Sequence, residues 1–328
     1  MDRSVLSALA ASAALALGLA APSPGHAQTW PDKPIRLIVG YPPGASNDSL
    51  ARIVAERIGP VLGQNVVVDN RAGASGSIAS ELTAKAAPDG YTFQICNDAT
   101  HSSNYSAVAK PPYDPAKDFT PLTLAALNPI VLVVNPAFTP VKTLAELVEY
   151  VKTHPDKGAY GSSGPGSPHH LAGEILKERS GVAAFVHVPY KGGGPAVLDL
   201  LGGQIPMAFS SLISVQQQIA SGKLRALAIT QDTRYDGLPD VPTMAETWPG
   251  AEISSWLCFA APAGVPGPIA ARLGGAIVDA LKDPATKKKV EDSGMVVVAS
   301  NPDVLAEQIR RDKAARAKLM RQAGIVPK

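Results

Sequence analysis

Four short stretches of the sequence are rich in Gly, Ser and Pro, and each joins an apolar run to a helix-like run. They are residues 39–50 (VGYPPGASNDSL), 70–77 (NRAGASGS), 161–169 (GSSGPGSPH) and 191–196 (KGGGPA). A chain that passes from strand to helix in this way presents unpaired backbone N–H groups at the positive end of a helix dipole, which suits an anion. Further side-chain donors come from Ser46, Asn47, Ser162, Ser163 and Ser167. We therefore expect these loops to hold a small anion, such as a carboxylate, through hydrogen bonds.

The same residue types also have a purely structural explanation, because helix caps and turns favour them. Ser167 and Pro168 are placed as the N-cap and first residue of a helix. Asp48 is expected to interact with the first-turn N–H groups of its own helix. Lys191 ends a strand beside three glycines, and its ammonium group meets either a ligand carboxylate or solvent. A single loop is better explained as a turn, whereas several loops at one sheet edge favour a binding site.

Signatures of catalysis are absent from the sequence. It contains no Gly-x-Ser-x-Gly nucleophile turn, no Gly-x-Gly-x-x-Gly dinucleotide loop and no phosphate-binding Gly-Lys-Ser/Thr motif. The histidines lack zinc-ligand spacing and are expected on the surface or at caps, although His101 and His169 lie where a cleft could use them. We therefore expect no catalytic residue, metal ion or cofactor. A secreted hydrolase stays open if a histidine and a carboxylate stand behind Ser46 or Ser163.

Short apolar runs alternate with amphipathic helical stretches along most of the chain. The runs expected to form strands are residues 34–41, 65–69, 91–97, 130–135, 185–190, 205–210, 224–230, 256–261 and 295–299. A helix is expected over residues 49–62, where Leu50, Ile53, Val54 and Ile58 share one face and Gly63 can end it. This alternation predicts an α/β fold with parallel sheets covered on both faces.

A boundary between two lobes is indicated at two places. The run 128–136 is bracketed by Asn-Pro pairs, and prolines flank the run 254–261. The segment between these marks can fold as its own α/β unit, while the last helices return to the first unit. We therefore expect lobe 1 to contain residues 28–128 and 255–328, and lobe 2 to contain residues 129–254. Two crossover strands between the lobes would form a hinge.

The N-terminus has the pattern of a cleaved secretory signal peptide. Arg3 precedes a run of mostly Leu and Ala over residues 5–21, and Ala27 ends a small-residue cleavage site, so residues 1–27 are expected to be removed. The mature chain is then expected to be soluble outside the cytoplasm. Thirty basic and 28 acidic residues, with no basic cluster beside aromatic residues, argue against nucleic acid as a partner.

The chain has two cysteines, Cys96 and Cys258. Each lies in an apolar strand-like run, so two buried free thiols are the expected state. A disulfide between them is the alternative in an oxidising compartment.

Several stretches, taken together and in order, resemble one known protein family. They are residues 41–48 (YPPGASND), 70–76 (NRAGASG), 87–92 (APDGYT), 188–192 (VPYKG), 199–204 (DLLGGQ), 221–228 (SGKLRALA) and 238–243 (LPDVPT). They look like the landmarks of the Bug proteins, the receptors of tripartite tricarboxylate transporters, and the resemblance covers essentially the mature chain. It implies a two-lobed periplasmic-binding-protein fold of type II that captures a small organic acid for a two-subunit membrane permease. Many members work instead as orphan receptors or with a sensor protein.

The resemblance also implies ligand contacts residue by residue, with loops 41–48 and 161–169 holding a carboxylate from opposite lobes. The candidate ligand-binding residues are Tyr41, Pro43, Gly44, Ala45, Ser46, Asn47, Asn97, Thr100, His101, Ser162, Ser163, Gly164, Ser167, Lys191 and Gly192. Two departures from the family pattern bear on the ligand. Ser210 stands where members often carry Asp, which favours an acidic or neutral ligand end over an amino group. Loop 161–169, with two prolines and paired histidines, is stiffer than usual.

The sequence therefore predicts a periplasmic, non-enzymatic, monomeric receptor. Its two lobes would close around a mono-, di- or tricarboxylate, aliphatic or aromatic. A ligand-dependent sensor partner is the main alternative function, and a secreted hydrolase is the weaker one.

Overall fold

A computed structural model of the protein describes residues 30–103, 112–322 and 324. The expected signal peptide, residues 1–27, lies outside the described residues. Among the helices of the described residues, none is both long enough and apolar enough to cross a membrane.

The described residues form an α/β structure. Its strands are β1 (Ile35–Val39), β2 (Val66–Asn70), β3 (Thr92–Asn97), β4 (Phe119–Leu127), β5 (Ile130–Val134), β6 (Ala159–Ser162), β7 (Val186–Pro189), β8 (Met207–Ser211), β9 (Arg225–Ile229), β10 (Trp256–Pro262) and β11 (Val296–Val297). Its helices are α1 (Ser46–Leu62), α2 (Ser77–Ala84), α3 (Leu144–Thr153), α4 (Pro168–Ser180), α5 (Gly193–Leu201), α6 (Leu212–Ala220), α7 (Met244–Thr247), α8 (Gly267–Lys282), α9 (Pro284–Asp292) and α10 (Pro302–Gln322). Short 3₁₀ or π turns lie at Ala74–Gly76, Ala99–Ser103 and Pro155–Lys157.

The strands form two sheets, one in each lobe. The first has the order β11-β4-β10-β3-β1-β2, and the second has the order β7-β6-β8-β5-β9. The described chain passes between them twice, directly from β4 to β5 and again through residues 251–255 to β10. This is the two-lobed α/β architecture that the sequence predicts. The exact lobe boundaries at residues 128 and 255 remain a prediction.

Both sheets are mixed, which corrects the expectation of parallel sheets. β1 pairs in parallel with β2 and β3, and β6 pairs in parallel with β7 and β8. The two crossover strands differ, because β5 is antiparallel to both of its neighbours and so is β10. A parallel connection needs a long crossover, usually a helix. β5 and β10 each enter their sheet from the other lobe rather than through a strand–helix–strand unit of that sheet, so no such crossover makes them parallel to their neighbours.

Each apolar run that was predicted to be a strand coincides with one. Two strands had no predicted run, β4 and β6. β4 contains Pro121, which cannot donate to a ladder and is tolerated at bulges. The pairing of β4 with β10 shifts register between Phe259 and Ala260, and Ala260 is the partner of Pro121. β6 is only four residues long and ends within the Gly-Ser run that the sequence presents as a loop.

Helix α1 shows how the sheets acquire their cores. Leu50, Val54 and Ile58 are buried in the core of the first sheet, as their spacing predicts. The helix ends at Gly63, whose φ of 74° lies in the left-handed region that favours glycine. It begins at Ser46, earlier than expected, because the preceding Ala45 already has the extended conformation of an N-cap.

The last helix, α10, packs against both lobes. Its residues Leu305 and Ile309 lie in a cluster with Trp256 and Cys258 of β10. Met320, near its other end, lies in the core of the second sheet. Besides the two crossover segments, α10 is therefore a further connection between the lobes.

Cys96 and Cys258 form a disulfide, so the expectation of two free thiols was wrong. Both residues are buried, as expected. They are direct partners in the antiparallel pairing of β3 with β10, and their Cα atoms are 4.9 Å apart, within the range that a disulfide spans. The sequence alone did not reveal this pairing, because the register joins strands that are distant along the chain.

Candidate functional site

Three loops of the first lobe interlock where β1, β2 and β3 end. The Tyr41 hydroxyl donates to the Ser75 carbonyl over 3.0 Å and accepts a hydrogen bond from Asn97 Nδ2 over 2.8 Å. Asn70 Nδ2 donates to the Tyr41 carbonyl over 2.9 Å. The structure thus brings Tyr41 and Asn97 together, as a site at this sheet edge requires. The contribution of Ser75 was missed, although the Gly-Ala-Ser-Gly run that carries it was recognised as one of the four turns.

Thr100 continues this cluster, and His101 lies behind it. The Thr100 N–H donates to Asn97 Oδ1 over 3.0 Å, and Thr100 Oγ1 lies 2.9 Å from His101 Nδ1. The His101 ring is fully buried against Phe119, with 4.8 Å between ring centroids, so its expected surface or cap position was wrong. Burial lowers the pKa of His101 to about 3, and its Nε2 has no hydrogen-bond partner among the described residues. Ligand contact by Asn97, Thr100 and His101 stays a prediction.

The loop after β1 is closed by Asp48, although not as predicted. Asp48 accepts hydrogen bonds from the Gly44 N–H over 2.9 Å, from Asn70 Nδ2 over 2.9 Å and from Arg52. The expected bond to first-turn N–H groups of its own helix was wrong, because the early start of α1 places Asp48 inside the helix rather than at its cap. Burial alone would raise the pKa of Asp48, but these three hydrogen bonds lower it below its usual value. Its charge is therefore already paired.

Within this loop, Gly44 and Asn47 have features that suit ligand contact. Gly44 is exposed and has a φ of 84°, and a Cβ built on it would meet no described atom within 4 Å. Asn47 is buried, and its Nδ2 has no hydrogen-bond partner among the described residues. Pro43 is exposed, whereas Ala45 and Ser46 are half-buried at the start of α1. The loop thus leaves open space beside Gly44 at the N-terminus of a helix, with the Asn47 amide next to it.

In the second lobe, the loop after β6 is ordered by its own serines. Ser167 caps α4 by accepting a hydrogen bond from the His170 N–H over 3.2 Å, and Pro168 is the first residue of the helix, as predicted. Ser162 is fully buried and accepts a hydrogen bond from the Gly164 N–H over 3.1 Å. Ser163 is half-buried. Ser163 is therefore the more accessible of the two serine hydroxyls at the end of β6.

Three histidines support this loop from behind, which corrects their expected surface or cap positions. His187 Nε2 lies 2.6 Å from Ser162 Oγ, and His169 Nδ1 lies 2.7 Å from Ser163 Oγ. His170 Nδ1 accepts a hydrogen bond from the Gly166 N–H over 3.0 Å. The rings of His170 and His187 stack with 3.6 Å between centroids. Their proximity was hidden in the sequence, because His187 lies on β7, which pairs with β6 in parallel.

Burial keeps the imidazoles of His169 and His187 neutral. Burial, with a smaller contribution from the positive charge of Arg316, lowers the pKa of His169 to about 4. Burial, followed by the nearby His170, lowers the pKa of His187 to about 4. Near neutral pH each of these two rings therefore carries a single N–H and can both donate and accept.

Arg316 on α10 contacts the first loop cluster and acts through its charge on His169 of the second, and sequence reasoning missed it. Its guanidinium lies 3.1 Å from the buried Asp98 carboxylate, directly after β3, and also contacts Ser103 over 3.4 Å. The Ser255 hydroxyl donates to Asp98 over 2.9 Å. Burial raises the pKa of Asp98, although the charge of Arg316 opposes this effect. Nothing in the C-terminal sequence distinguishes Arg316 from the other basic residues of α10.

The second candidate loop of the second lobe lies at the start of α5. Lys191 is exposed, and Gly192 has a φ of 113° with no described atom within 4 Å of an added Cβ. A Cβ added to Gly164 would lie 3.2 Å from the Tyr190 carbonyl, so this turn packs beside the loop after β6. Ser210, which replaces the Asp common in the resembling family, is fully buried, and its hydroxyl has no hydrogen-bond partner among the described residues.

One cluster of potential metal ligands lies in the described chain. Cys96, His101 and Cys258 bring their sulfur and imidazole atoms within 4.8 Å of one another. Because the two sulfurs are bonded to each other, they do not offer the thiolates that a metal ion needs.

The chemistry of both loop clusters suits a small anion. Backbone N–H groups lie at the N-termini of α1, α4 and α5, with hydroxyl and amide groups beside them. The acids that border the first cluster, Asp48 and Asp98, are each hydrogen-bonded and ion-paired.

The sequence matches the family model described as tripartite tricarboxylate transporter family receptor over residues 50–325. The chain belongs to this family. Among the relatives of this receptor family, Protein BugT of Bordetella pertussis (strain Tohama I) is 39% identical over 300 residues, which cover 90% of this chain and 91% of that protein. A protein from the tcbD-tcbE intergenic region of Pseudomonas sp. (strain P51) is 36% identical over 312 residues, with 94% of this chain and 92% of that protein covered.

Solved structures of the receptor family have the same fold. R. palustris Rpa4515 with adipate has a TM-score of 0.85 and 34% identity, and the match covers 91% of this chain and all (100%) of that chain. MatC from Rhodopseudomonas palustris with bound malate has a TM-score of 0.79 and 30% identity, and the match covers 88% of this chain and 99% of that chain. The periplasmic binding protein BugD has a TM-score of 0.82 and 34% identity, and the match covers 91% of this chain and 100% of that chain. The chain is thus a periplasmic solute-binding receptor of the Bug type.

Proposed function

We propose that this receptor captures a small carboxylate by closing its two lobes around it, for uptake through a two-subunit membrane permease of the tripartite tricarboxylate type. The observation that carries the proposal is the set of neutral donors at the strand ends of both sheets. Hydroxyl, amide and backbone N–H groups gather there, while the neighbouring acids Asp48 and Asp98 are already paired. Such a site attracts an anion without needing a positive side chain.

The ligands of the relatives support the dicarboxylate class. Adipate and malate are both dicarboxylates, and the two proteins that bind them share the fold of this chain. Ser210 adds to this argument, because a buried hydroxyl at this position leaves no acid to pair with an amino group. We therefore favour an acid that lacks an ammonium group.

Lobe closure is the proposed source of affinity. Two sets of donors on different lobes contact one ligand together only when the lobes approach, so the ligand stabilises the closed form. A micromolar receptor needs a binding free energy of about −8 kcal/mol. Hydrogen bonds to a charged group contribute roughly 1.5–3 kcal/mol each, so several donors from both loops suffice.

Hydrolysis gains one supporting observation and is still disfavoured. Ser163 and His169 form a serine–histidine contact, which is the pair that acyl transfer uses. The second nitrogen of His169, however, lies 3.2 Å from the Ser211 hydroxyl rather than beside a carboxylate. The charge of Arg316 further opposes protonation of His169. A histidine that resists protonation is a poor general base, and we propose binding without catalysis.

A thermal-shift screen tests the ligand class. Adipate, malate, citrate and benzoate would be compared with amino acids and neutral sugars, since a ligand that binds the folded state raises its stability with the logarithm of concentration. We expect stabilisation by one or more of the acids. Stabilisation by sugars or amino acids alone would contradict the proposed class.

Transport and sensing need a separate test, because both use the same binding step. A pull-down of membrane proteins with the receptor, with and without its acid, is expected to recover a two-subunit permease. Recovery of a sensor protein instead would favour the signalling alternative.

A further inference from the structure

A chain of three hydrogen bonds runs from the lobe crossover to the ligand loop of the second lobe. Asn128 Nδ2 donates to Ser211 Oγ over 2.9 Å, and Ser211 Oγ lies 3.2 Å from His169 Nε2. His169 Nδ1 lies 2.7 Å from Ser163 Oγ. Asn128 lies between β4 and β5, so this series of hydrogen bonds begins at the crossover. Ser163 ends it and is half-buried, whereas the other three residues are buried.

The directions of these hydrogen bonds depend on one another. A neutral imidazole carries one N–H, so one ring nitrogen donates and the other accepts. If Ser211 donates to His169 Nε2, the hydrogen is on Nδ1 and is donated to Ser163. If Nε2 donates to Ser211 instead, Nδ1 accepts the hydroxyl hydrogen of Ser163. The tautomer of His169 therefore decides whether Ser163 keeps its hydrogen for a ligand.

Asn128 sets this tautomer through Ser211. Because Nδ2 donates to Ser211 Oγ, the Ser211 hydrogen points to another acceptor, and His169 Nε2 is the one within reach among the described residues. If His169 Nε2 donated to Ser211 as well, the buried Ser211 hydrogen would be left without an acceptor there. Turning the amide over would place Oδ1 against Ser211 and reverse every bond in the chain. In the observed orientation Asn128 Oδ1 has no hydrogen-bond partner among the described residues. In the reversed orientation the buried NH₂ group would lack one instead. A buried carbonyl without a partner is found more often than a buried N–H without one, so the observed orientation is favoured.

These three hydrogen bonds also require a neutral His169, and the surroundings of the ring keep it neutral. The ring is buried, and the groups that act on it are Ser163, Ser211 and the guanidinium of Arg316 from α10. A positive charge nearby opposes a second proton on the ring. Because the ring then carries a single N–H, the direction of the hydrogen bond at Nε2 fixes the direction of the one at Nδ1.

We propose that Asn128 is a positioning residue for ligand recognition, which acts through Ser211 and His169 to make Ser163 a hydrogen-bond donor towards a carboxylate. This inference rests on the proposed function and adds the means by which an ionised acid is preferred. An ionised carboxylate only accepts hydrogen bonds. A Ser163 that gave its hydrogen to His169 would present lone pairs to that carboxylate and weaken its binding.

The tautomer of His169 is measured by nitrogen NMR of histidine-labelled protein without any ligand. We expect the hydrogen on Nδ1 in the wild type. In Asn128→Asp, near pH 8, where a carboxyl group of ordinary pKa is ionised, residue 128 only accepts, so the hydrogen is expected on Nε2. A wild-type hydrogen on Nε2, or the same tautomer in both proteins, would overturn the proposal. The wild-type result decides the matter even if the variant does not fold.

A matched control introduces the same charge elsewhere. Gln94 of β3 is buried, and its Oε1 accepts a hydrogen bond from the Ser80 hydroxyl over 3.1 Å. Gln94→Glu adds a buried acid beside a serine in the other lobe, without a link to His169. It is expected to leave the His169 tautomer unchanged, and a shift in this control would assign the effect to charge alone.

Affinity provides the second readout. Calorimetry with adipate and malate is expected to show at least about a tenfold loss in Asn128→Asp. In a Ser163→Ala background the same substitution is expected to cost clearly less, because the donor is already gone. Equal losses in both backgrounds would mean that the new charge repels the ligand directly, and would overturn the proposal. If neither acid binds the wild type, the proposed function loses its ligand class, while the tautomer measurement still decides the role of Asn128.

Discussion

The two candidate ligand clusters are held in place by different chemistry. In the first lobe, Tyr41, Asn97 and Thr100 hold one another through hydroxyl and amide groups, and burial raises the pKa of Tyr41, so this network stays neutral near neutral pH. In the second lobe, Ser162 and Ser163 each contact a histidine. The hydroxyl and amide groups of the first cluster therefore do not titrate in mild acid. The second depends on neutral imidazoles and on which nitrogen carries the hydrogen.

Gly44→Leu is expected to have the largest effect, because it fills the open space of the first-lobe loop. We expect a loss of ligand affinity of at least about 100-fold, or about 2.7 kcal/mol, by calorimetry. Its control is Gly181→Leu at the end of α4, where φ is 68° and a Cβ likewise meets no described atom within 4 Å. Both variants should lose about 1–2 kcal/mol of stability from the left-handed backbone conformation, measured by urea unfolding. Unchanged affinity in Gly44→Leu would remove this loop from the site.

Acidification is expected to lower stability through the buried histidines of both lobes, and His169 is the one that contacts the second-lobe ligand loop. The pKa of His169 falls from 6.5 unfolded to about 4 folded, so below about pH 6.5 the unfolded chain binds a proton that the folded protein refuses. The free energy of unfolding should therefore fall as pH decreases from 6.5 towards 4, by up to about 1.4 kcal/mol per pH unit for this residue. Above pH 6.5 the residue contributes no slope.

The contribution of His169 is isolated by comparing wild type with His169→Gln in urea unfolding at several pH values. Between pH 6.5 and 4, the free energy of unfolding of the variant should change less steeply with pH, by the amount that corresponds to about one bound proton. His101→Gln is the companion from the first lobe, since burial also lowers the pKa of His101, to about 3. Equal slopes in wild type and His169→Gln would show that His169 titrates normally in the folded protein.

Ser163→Ala and Tyr41→Phe compare one hydroxyl from each lobe. Ser163→Ala should weaken ligand binding by about 1–3 kcal/mol, because its hydrogen is proposed to meet a charged group. The Tyr41 hydroxyl already bonds to Ser75 and Asn97, so its loss should lower stability by about 1 kcal/mol and change affinity less. Calorimetry and urea unfolding measure the two quantities. An effect of Ser163→Ala near zero on affinity would reduce that serine to a structural role.

Ser167→Ala should have the smallest effect. Loss of the N-cap of α4 is expected to lower stability by about 1 kcal/mol. Thr143→Ala removes the corresponding cap of α3, where Thr143 accepts a hydrogen bond from the Glu146 N–H over 3.1 Å, and should cost the same. Of these two variants, only Ser167→Ala should also lower affinity, by a few-fold, because α4 begins at a candidate ligand loop and α3 does not. An equal change of affinity in both variants would remove that distinction.

Local patterns in the sequence were sufficient for most of the fold. Apolar runs located most strands, and the Ser167-Pro168 pair located the start of α4, because these signals lie within a few residues. β4 escaped because Pro121 interrupts it, and the proline is tolerated only through a bulge against β10. The direction of strand pairing was also misjudged, since it depends on two strands, β5 and β10, that enter their sheets from the other lobe.

The candidate site was predictable as a set of loops but not as a network. The contact of Tyr41 with Asn97, and that of Ser162 with His187, join segments that are far apart in the chain. Arg316 could not be singled out, because a basic residue in a helix is ordinarily exposed, and only the packing of α10 buries this one. Interactions set by strand register and helix packing have no local signature.

The bond between Cys96 and Cys258 spans a sequence separation of 162 residues, and the whole of the second sheet lies inside that span. The second lobe is therefore a covalently closed ring attached to the first. A protease that cuts any one peptide bond between these cysteines leaves a single molecule on a non-reducing gel, and two fragments appear only after a thiol is added.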